Sequence, residues 1–223
     1  MSITEKENLL FERWKKKREG FVSDGIVDEG AYNSSKIKIV FILKEVNDPD
    51  GGDWDLREFV REGARRQTWD NITRWVYGIK NLDREINWSE LSEISSDRKK
   101  DMLRSICAIN LKKTPGGHTS NNDELWHIAV EEDKYYLSEQ LSLYDGADII
   151  ICCGSITEYI IHSINIDFLR DPKWKMTSRG VWFHEYKNGK FIISFSHPEA
   201  RIKSNLLYYG LIDAVKEILA GND

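Results

Sequence analysis

The chain predicts an α/β protein in three layers, with a mainly parallel sheet between two layers of helices. Two observations carry this expectation. Dense apolar runs of strand length recur at Ile37–Leu43, Ser105–Leu111, Asp148–Cys153 and Phe191–Phe195. They are too uniformly apolar for a sheet with one wet face and read as strands buried on both sides. Between them lie longer stretches with apolar residues at helical spacing, and that alternation is the pattern of βαβ units.

Taken in order, residues 4 to 18 read as an amphipathic helix with Leu9, Leu10 and Trp14 on its apolar side. The run Lys15-Lys16-Lys17-Arg18 forms a solvated face. Gly20 to Ser35 reads as a loop leading into the first strand, 37–43. Asn47-Asp48-Pro49-Asp50-Gly51-Gly52-Asp53 is dense in turn formers and reads as a loop. Two helices follow, near 55–63 and 68–79, the second marked by Trp69, Ile72, Trp75, Val76 and Ile79. Residues 81–103 are polar and helical in part. The second strand, 105–111, ends at Lys112-Lys113-Thr114-Pro115-Gly116-Gly117, and a long helix fits 122–143. The third strand is 148–153, which Gly154-Ser155 turns into a helix beginning near Thr157. Residues 181–186 and 190–195 form a hairpin across Lys187-Asn188-Gly189, and a helix over 201–219 closes the chain. No repeat or linker divides the chain, so 1–223 reads as a single domain with its N-terminal helix at about 4–18.

The net charge, 32 minus 37 or −5, argues against indiscriminate coating of nucleic acid, which depends on Lys and Arg contacts to phosphate. The longest apolar runs are strand-sized, so no membrane span is expected, and the polar start Ser2-Ile3-Thr4-Glu5 is no signal peptide. Cys107, Cys152 and Cys153 make no disulfide framework and no CxxC ligand pattern, and His118 and His127 add no metal spacing. The expectation is a cytoplasmic protein with no metal and no cofactor. Adjacent Cys152 and Cys153 should face opposite sides of the sheet as small hydrophobes.

Two strand ends carry the polar clusters of interest. The first strand runs into Lys44-Glu45-Val46-Asn47-Asp48, and the last into Ser196-His197-Pro198-Glu199-Ala200-Arg201. Carboxyl ends of strands are where open α/β sheets bind ligands. Glu45 either positions water at an apolar pocket or is a loop carboxylate paired with Lys44 or Arg57. His197 either closes a turn before proline or offers a neutral imidazole to a developing oxyanion. Gly154-Ser155 reads as a helix N-cap, or as a turn whose N–H groups hold a phosphate.

In this order and spacing the segments resemble the uracil-DNA glycosylase superfamily, above all its GEAPG-motif branch, from about 36 to 218. Lys44-Glu45-Val46-Asn47-Asp48 takes the place of Gly-Glu-Ala-Pro-Gly, and Leu56-Arg57-Glu58-Phe59 that of the segment whose Phe stacks on uracil. Ala108-Ile109-Asn110-Leu111 is similar to the strand whose Asn reads the pyrimidine edge, and His197-Pro198 to the closing His-Pro motif. Lys44, Asn47-Asp48 and Glu199-Ala200 depart from the family pattern, and the four cluster cysteines of that branch are absent, so no iron–sulfur cluster is implied.

The resemblance implies a three-layer α/β/α sandwich with a central, mainly parallel four-stranded sheet. It implies a monomeric DNA glycosylase that hydrolyses the N-glycosidic bond of uracil or another deaminated base flipped out of single- or double-stranded DNA. Glu45 and His197 would be catalytic. Asn47, Phe59, Asn110 and Arg201 would bind substrate, with Arg201 filling the gap in the stack and Lys112 and Lys113 on phosphates. The alternative, from the binding class, is a non-catalytic nucleobase-, nucleotide- or nucleic-acid-binding protein of the same fold.

Overall fold

The computed structural model describes residues 1–49, 51–164 and 172–221, so Asp50 of the expected 47–53 loop lies outside the described residues. The chain enters through α1 (Ile3–Trp14), started by a capping box in which Ser2 Oγ accepts from the Glu5 N–H and the Glu5 carboxylate accepts from the Ser2 N–H. A short 3-10 turn (Lys15–Lys17) follows. Glu7, Leu10, Phe11 and Trp14 form the buried stripe of α1 at the i, i+3, i+4, i+7 spacing. Leu9 falls outside that stripe and is exposed, so it does not supply the apolar side expected of it.

Residues 20–35, expected as loop, contain the two-residue strand β1 (Gly25–Ile26) and the short helix α2 (Glu29–Ser34). Then come β2 (Ile39–Leu43), α3 (Leu56–Arg61), α4 (Arg66–Lys80), α5 (Trp88–Leu91), α6 (Ser96–Arg104) and β3 (Ile106–Asn110). The single helix expected over 122–143 is broken into α7 (Asn122–Trp126), a π-helical segment (His127–Glu132) and α8 (Lys134–Ser142). The wider turn closes with the Asp133 N–H on the Ile128 carbonyl at 2.8 Å, and the buried Asp133 carboxylate there receives Arg18. The chain finishes with β4 (Ile149–Cys153), α9 (Thr157–Ser163), β5 (Lys175–Met176), β6 (Trp182–Lys187), β7 (Lys190–Phe195) and α10 (Ser204–Ala220).

The sheet has seven strands in the order β1-β3-β2-β4-β7-β6-β5 and is mixed. Strands β3, β2, β4 and β7 pair in parallel at its centre, while β1, β6 and β5 add antiparallel edges. The sheet is thus larger than the four strands expected, and mixed. Side chains alternate across it. Ile39, Phe41 and Leu43 pack with residues of α3, α4, α6 and α10 on one face, while Val40 and Ile42 pack with residues of α1, α8 and α9 on the other. Cys152 and Cys153 are buried on opposite faces.

Two carboxylates lie inside this packing with no exposure, Glu7 and Asp24. Glu7 accepts from Arg57 Nη1 at 2.8 Å, Tyr144 Oη at 2.6 Å and the Ile26 N–H at 3.0 Å. Burial pushes its carboxyl up to about 7, against the pull of these donors. Gly25 lies directly over it at φ +125°, where a Cβ would sit 2.2 Å from Glu7 Oε1. Asp24 accepts both of its contacts with Lys113 Nζ, at 2.7 and 2.8 Å, together with Gln140 Nε2 at 2.8 Å and the Asn110 N–H at 2.7 Å. Lys113 Nζ also donates to the Asn110 carbonyl at 2.8 Å. Lys113 is therefore no phosphate contact. Its burial pulls the ammonium pKa down, opposed by Asp24.

Removing one member of such a pair strands the other charge. Lys113→Met is expected to destabilise the fold by about 3–5 kcal/mol in chemical denaturation. The double variant Asp24→Asn/Lys113→Met should lose less than the single one, because no unpaired charge remains. A double variant no more stable than Lys113→Met would refute the pairing as the source of the loss.

Candidate functional site

Beyond their last strand residues, β2 and β3 stay side by side. The Leu111 N–H bonds the Leu43 carbonyl at 3.0 Å and the Lys112 N–H the Lys44 carbonyl at 2.9 Å. Further along, the Gly116 N–H reaches the Val46 carbonyl at 2.8 Å and the Asp48 N–H the Gly116 carbonyl at 3.1 Å. This running pairing presses the Glu45 side chain against Gly116, where a Cβ would lie 2.3–2.5 Å from the carboxylate atoms. Glu45 Oε2 is 2.8 Å from Lys112 Nζ, and Lys112 continues to Glu124 Oε1 at 2.7 Å. The Glu45 side chain is 6% exposed. The carboxylate is thus paired, but with Lys112. Lys44 instead donates to Asn122 Oδ1 and Ser155 Oγ, and Arg57 is taken up by Glu7, Asp55 and Asn8. Lys112 is no phosphate contact either. Burial would lower its pKa, but the hydrogen bonds it donates to Glu124 and Glu45 outweigh that and raise it.

His197 leaves β7 in a turn in which its carbonyl accepts from the Ala200 N–H at 2.9 Å. Asn71 on α4 holds the turn from below, Nδ2 donating to the Pro198 carbonyl at 2.7 Å. The Glu199 N–H donates to His197 Nδ1 at 3.1 Å, which makes Nδ1 an acceptor and puts the imidazole proton on Nε2. Burial lowers the His197 pKa from its ordinary value, Glu199 pulls it back up, and the Lys44 charge lowers it further. A neutral ring with an Nε2–H donor is the form present at pH 7. Gly154, at φ +94°, lets the end of β4 pass close to it, a Cβ there lying 3.3 Å from the His197 Cβ.

These pieces meet around one cavity of about 330 Å³ at the carboxyl ends of β2 and β3 and the segment after β7, a volume that suits one nucleotide-sized ligand. Glu45, Asn47, Phe59, Asn110 and His197 all line it. Asn110 is 2% exposed, and its carboxamide has no partner among the described residues; only its backbone is bound, by Asp24 and Lys113. The Phe59 ring meets Trp54 edge-on, centroids 5.7 Å apart, and Trp54 Nε1 donates to Asp48 Oδ2 at 2.9 Å. Asn47 gives its amide to His118, Nδ2 to Nδ1 at 3.1 Å. Arg201 stands apart, exposed in the loop before α10 and outside the lining.

Trp54, Arg65, Trp69 and His118 also line the cavity; the sequence marked Trp69 only as a helix residue and His118 only as a rejected metal candidate, and gave Trp54 and Arg65 no part. Gly154-Ser155 does not cap α9. The N-cap position is Ile156, at φ +73° with no side-chain cap, and Ser155 Oγ accepts from Lys44 Nζ. Among the described residues no group of three or more His, Cys, Asp or Glu could hold a metal, and no helix is long and apolar enough to cross a membrane.

The titration of His197 tests this electrostatic picture. Its NMR midpoint should fall below the ordinary value of about 6.5. Lys44→Met should raise it and Glu199→Gln lower it; shifts of the opposite sign would refute the assignment. A lowered native pKa means the unfolded chain takes up this proton first, so His197 costs stability as pH falls through about 6.5. Separately, Gly116→Ala should drive the Glu45 carboxylate off Lys112 and cost about 1–3 kcal/mol in denaturation, as overpacking does. An unchanged midpoint would show the contact to be slack.

No family model, no curated protein and no solved structure matches the chain, so what the cavity does is read from its own residues.

Proposed function

We propose that the cavity receives one base rotated out of DNA and that the protein hydrolyses the N-glycosidic bond of uracil or another deaminated base, on a three-layer fold of the uracil-DNA glycosylase type. One observation carries this reading: Glu45, Asn47, Phe59, Asn110 and His197, from separate stretches of chain, line the same cavity. The topology supports it as well. In chain order the parallel strands lie 2-1-3-4, and ligands in such sheets sit at the carboxyl ends around the point where the strand order reverses.

In this mechanism Phe59 stacks on the base and the Asn110 carboxamide, able both to donate and to accept, pairs with its polar edge. As the bond between C1′ and the base nitrogen lengthens, positive charge grows on the sugar and negative charge on the base. The His197 Nε2–H donates to the base oxygen that takes up this charge. Glu45 Oε2 is held by Lys112, and Oε1, which has no partner among the described residues, orients the water that forms the new bond to C1′. The water's proton leaves with the base. Arg201, exposed beside the turn that carries His197, faces the DNA in this reading. A DNA partner, a monomeric state and a cytoplasmic location complete the proposal.

Glu45→Gln and His197→Ala should each lower base release by about 10²-fold or more while the chain still folds, Lys112 keeping Glu124 as its partner in the first, as loss of a group stabilising developing charge does. Release is measured on single- and double-stranded oligonucleotides carrying uracil, hypoxanthine or xanthine. A wild-type protein that releases none of them sinks the catalytic claim, and variants with unchanged rates sink the residue assignment.

A second reading, binding of a base or nucleotide without cleavage, is favoured by one observation. Lys112 and Lys113, which follow the strand that carries Asn110, are buried in ion pairs, while Glu199 at the cavity is exposed. A binder of this kind would hold oligonucleotides with a shallow salt dependence.

A further inference from the structure

With Lys112 and Lys113 turned inward and Lys44, at the lining, held by Asn122 and Ser155, the charged part of a nucleotide calls for further groups. Two lining residues are equipped for it. Arg65 stands at the N-cap position of α4, exposed, and its guanidinium has no ion-pair partner among the described residues. Its backbone is fixed from beneath, since Lys99 Nζ reaches the Arg65 carbonyl at 3.3 Å while pairing with Asp70. His118 is exposed on the loop that follows Gly116 and Gly117. Its Nδ1 accepts from Asn47 Nδ2 at 3.1 Å, so its Nε2 carries the proton and is a donor.

Of the acids around the same cavity, Glu45 is paired with Lys112 and Asp48 is engaged by Trp54 Nε1. Glu199 has only its backbone N–H engaged, by the His197 ring. The lining therefore pairs an unengaged guanidinium with an imidazole whose Nε2–H is left to donate, a set suited to the oxygens of a phosphodiester.

We infer that Arg65 and His118 hold a backbone phosphate flanking the bound nucleotide, with Asn47 acting as a positioning residue that fixes the His118 tautomer. The inference rests on the base-pocket reading and adds to it the part of the ligand that a free base lacks. It also changes the part assigned to Asn47, from contacting substrate to orienting the residue that does.

The test is a chemical double-mutant cycle. The probe is a single-stranded oligonucleotide with one 2′-fluoro-2′-deoxyuridine, which resists hydrolysis, made either with natural linkages or with a neutral methylphosphonate at the linkage 5′ or 3′ of that nucleotide. Arg65→Met and His118→Ala should each weaken binding of the natural probe by about tenfold, the scale of one charge-assisted contact. Both should leave binding of one of the methylphosphonate probes unchanged within about twofold, the natural contact being already gone there. Arg65→Met should also reduce the slope of log affinity against log salt by about 0.7.

In the free protein, Asn47→Ala should shift the His118 ring nitrogens in NMR toward a mixture of tautomers. Equal losses on natural and methylphosphonate probes, or no loss on either, overturn the inference. If Phe59→Ala still weakens binding in that case, the base pocket survives and only the phosphate grip fails. If the wild-type protein binds neither probe, both fail.

Discussion

The cavity hangs on a carboxylate that never reaches it. Asp24 sits at zero exposure beneath the end of β3 and takes four donated hydrogen bonds, two from Lys113, one from Gln140 on α8 and one from the backbone of Asn110. Lys113 then closes the loop by donating to the Asn110 carbonyl. A buried charge is tolerable only when it is paired and fully hydrogen-bonded, and this arrangement meets both conditions. The backbone on both sides of Asn110 is thereby committed, and the carboxamide is left as the only part of that residue free to meet a ligand. The neighbouring lysine takes the other direction. Lys113 goes inward to Asp24, Lys112 to Glu45, and two consecutive residues thus anchor both the residue that would read a base and the acid that would act on it.

Both imidazoles of the cavity are built on the same plan. Each has its Nδ1 occupied by an N–H donor, the Glu199 backbone for His197 and the Asn47 side chain for His118, and each is thereby left with a proton on Nε2. For His197, whose pKa burial lowers, a neutral donor strengthens its bond as negative charge grows on the ligand, yet attracts stray anions far less than a cation would. That difference is what a site needs if it is to favour a charge that exists only late in a reaction.

How much of this was legible in the sequence depended on where the deciding contact lay. The four parallel strands were legible because their burial is written into each run: Ile39–Leu43 is buried at every residue, and so are Ile106–Asn110 and Ile149–Cys153. Strands β1 and β5, at two residues each, have no run to show and exist only through their neighbours in the sheet. The helix expected over 122–143 is interrupted at His127–Glu132, before the Asp133 that receives Arg18, a partner 115 residues away. Glu45 and His197 could be picked out because the end of an apolar run marks the edge of a sheet; Asn110, inside such a run, was pointed to only by the family resemblance. Lys112 and Lys113, two lysines before a Pro-Gly-Gly loop, carry every local sign of solvent exposure. Their acids lie at 45 and 24, and only the fold brings them together. Trp54, Arg65 and His118 stand on connecting segments, whose path toward the cavity is set by backbone pairing that no periodicity records.

The Lys112-Lys113 dipeptide has an evolutionary corollary. Either lysine can be exchanged cheaply only together with an acid far away in the chain, so each is half of a two-position unit, 45 with 112 and 24 with 113. Drift at such units is slow, because the intermediate with one charge left alone is the unstable one. Glu45 is half of such a unit and also the acid proposed to act on substrate, so there the constraint from folding and the constraint from chemistry fall on one residue.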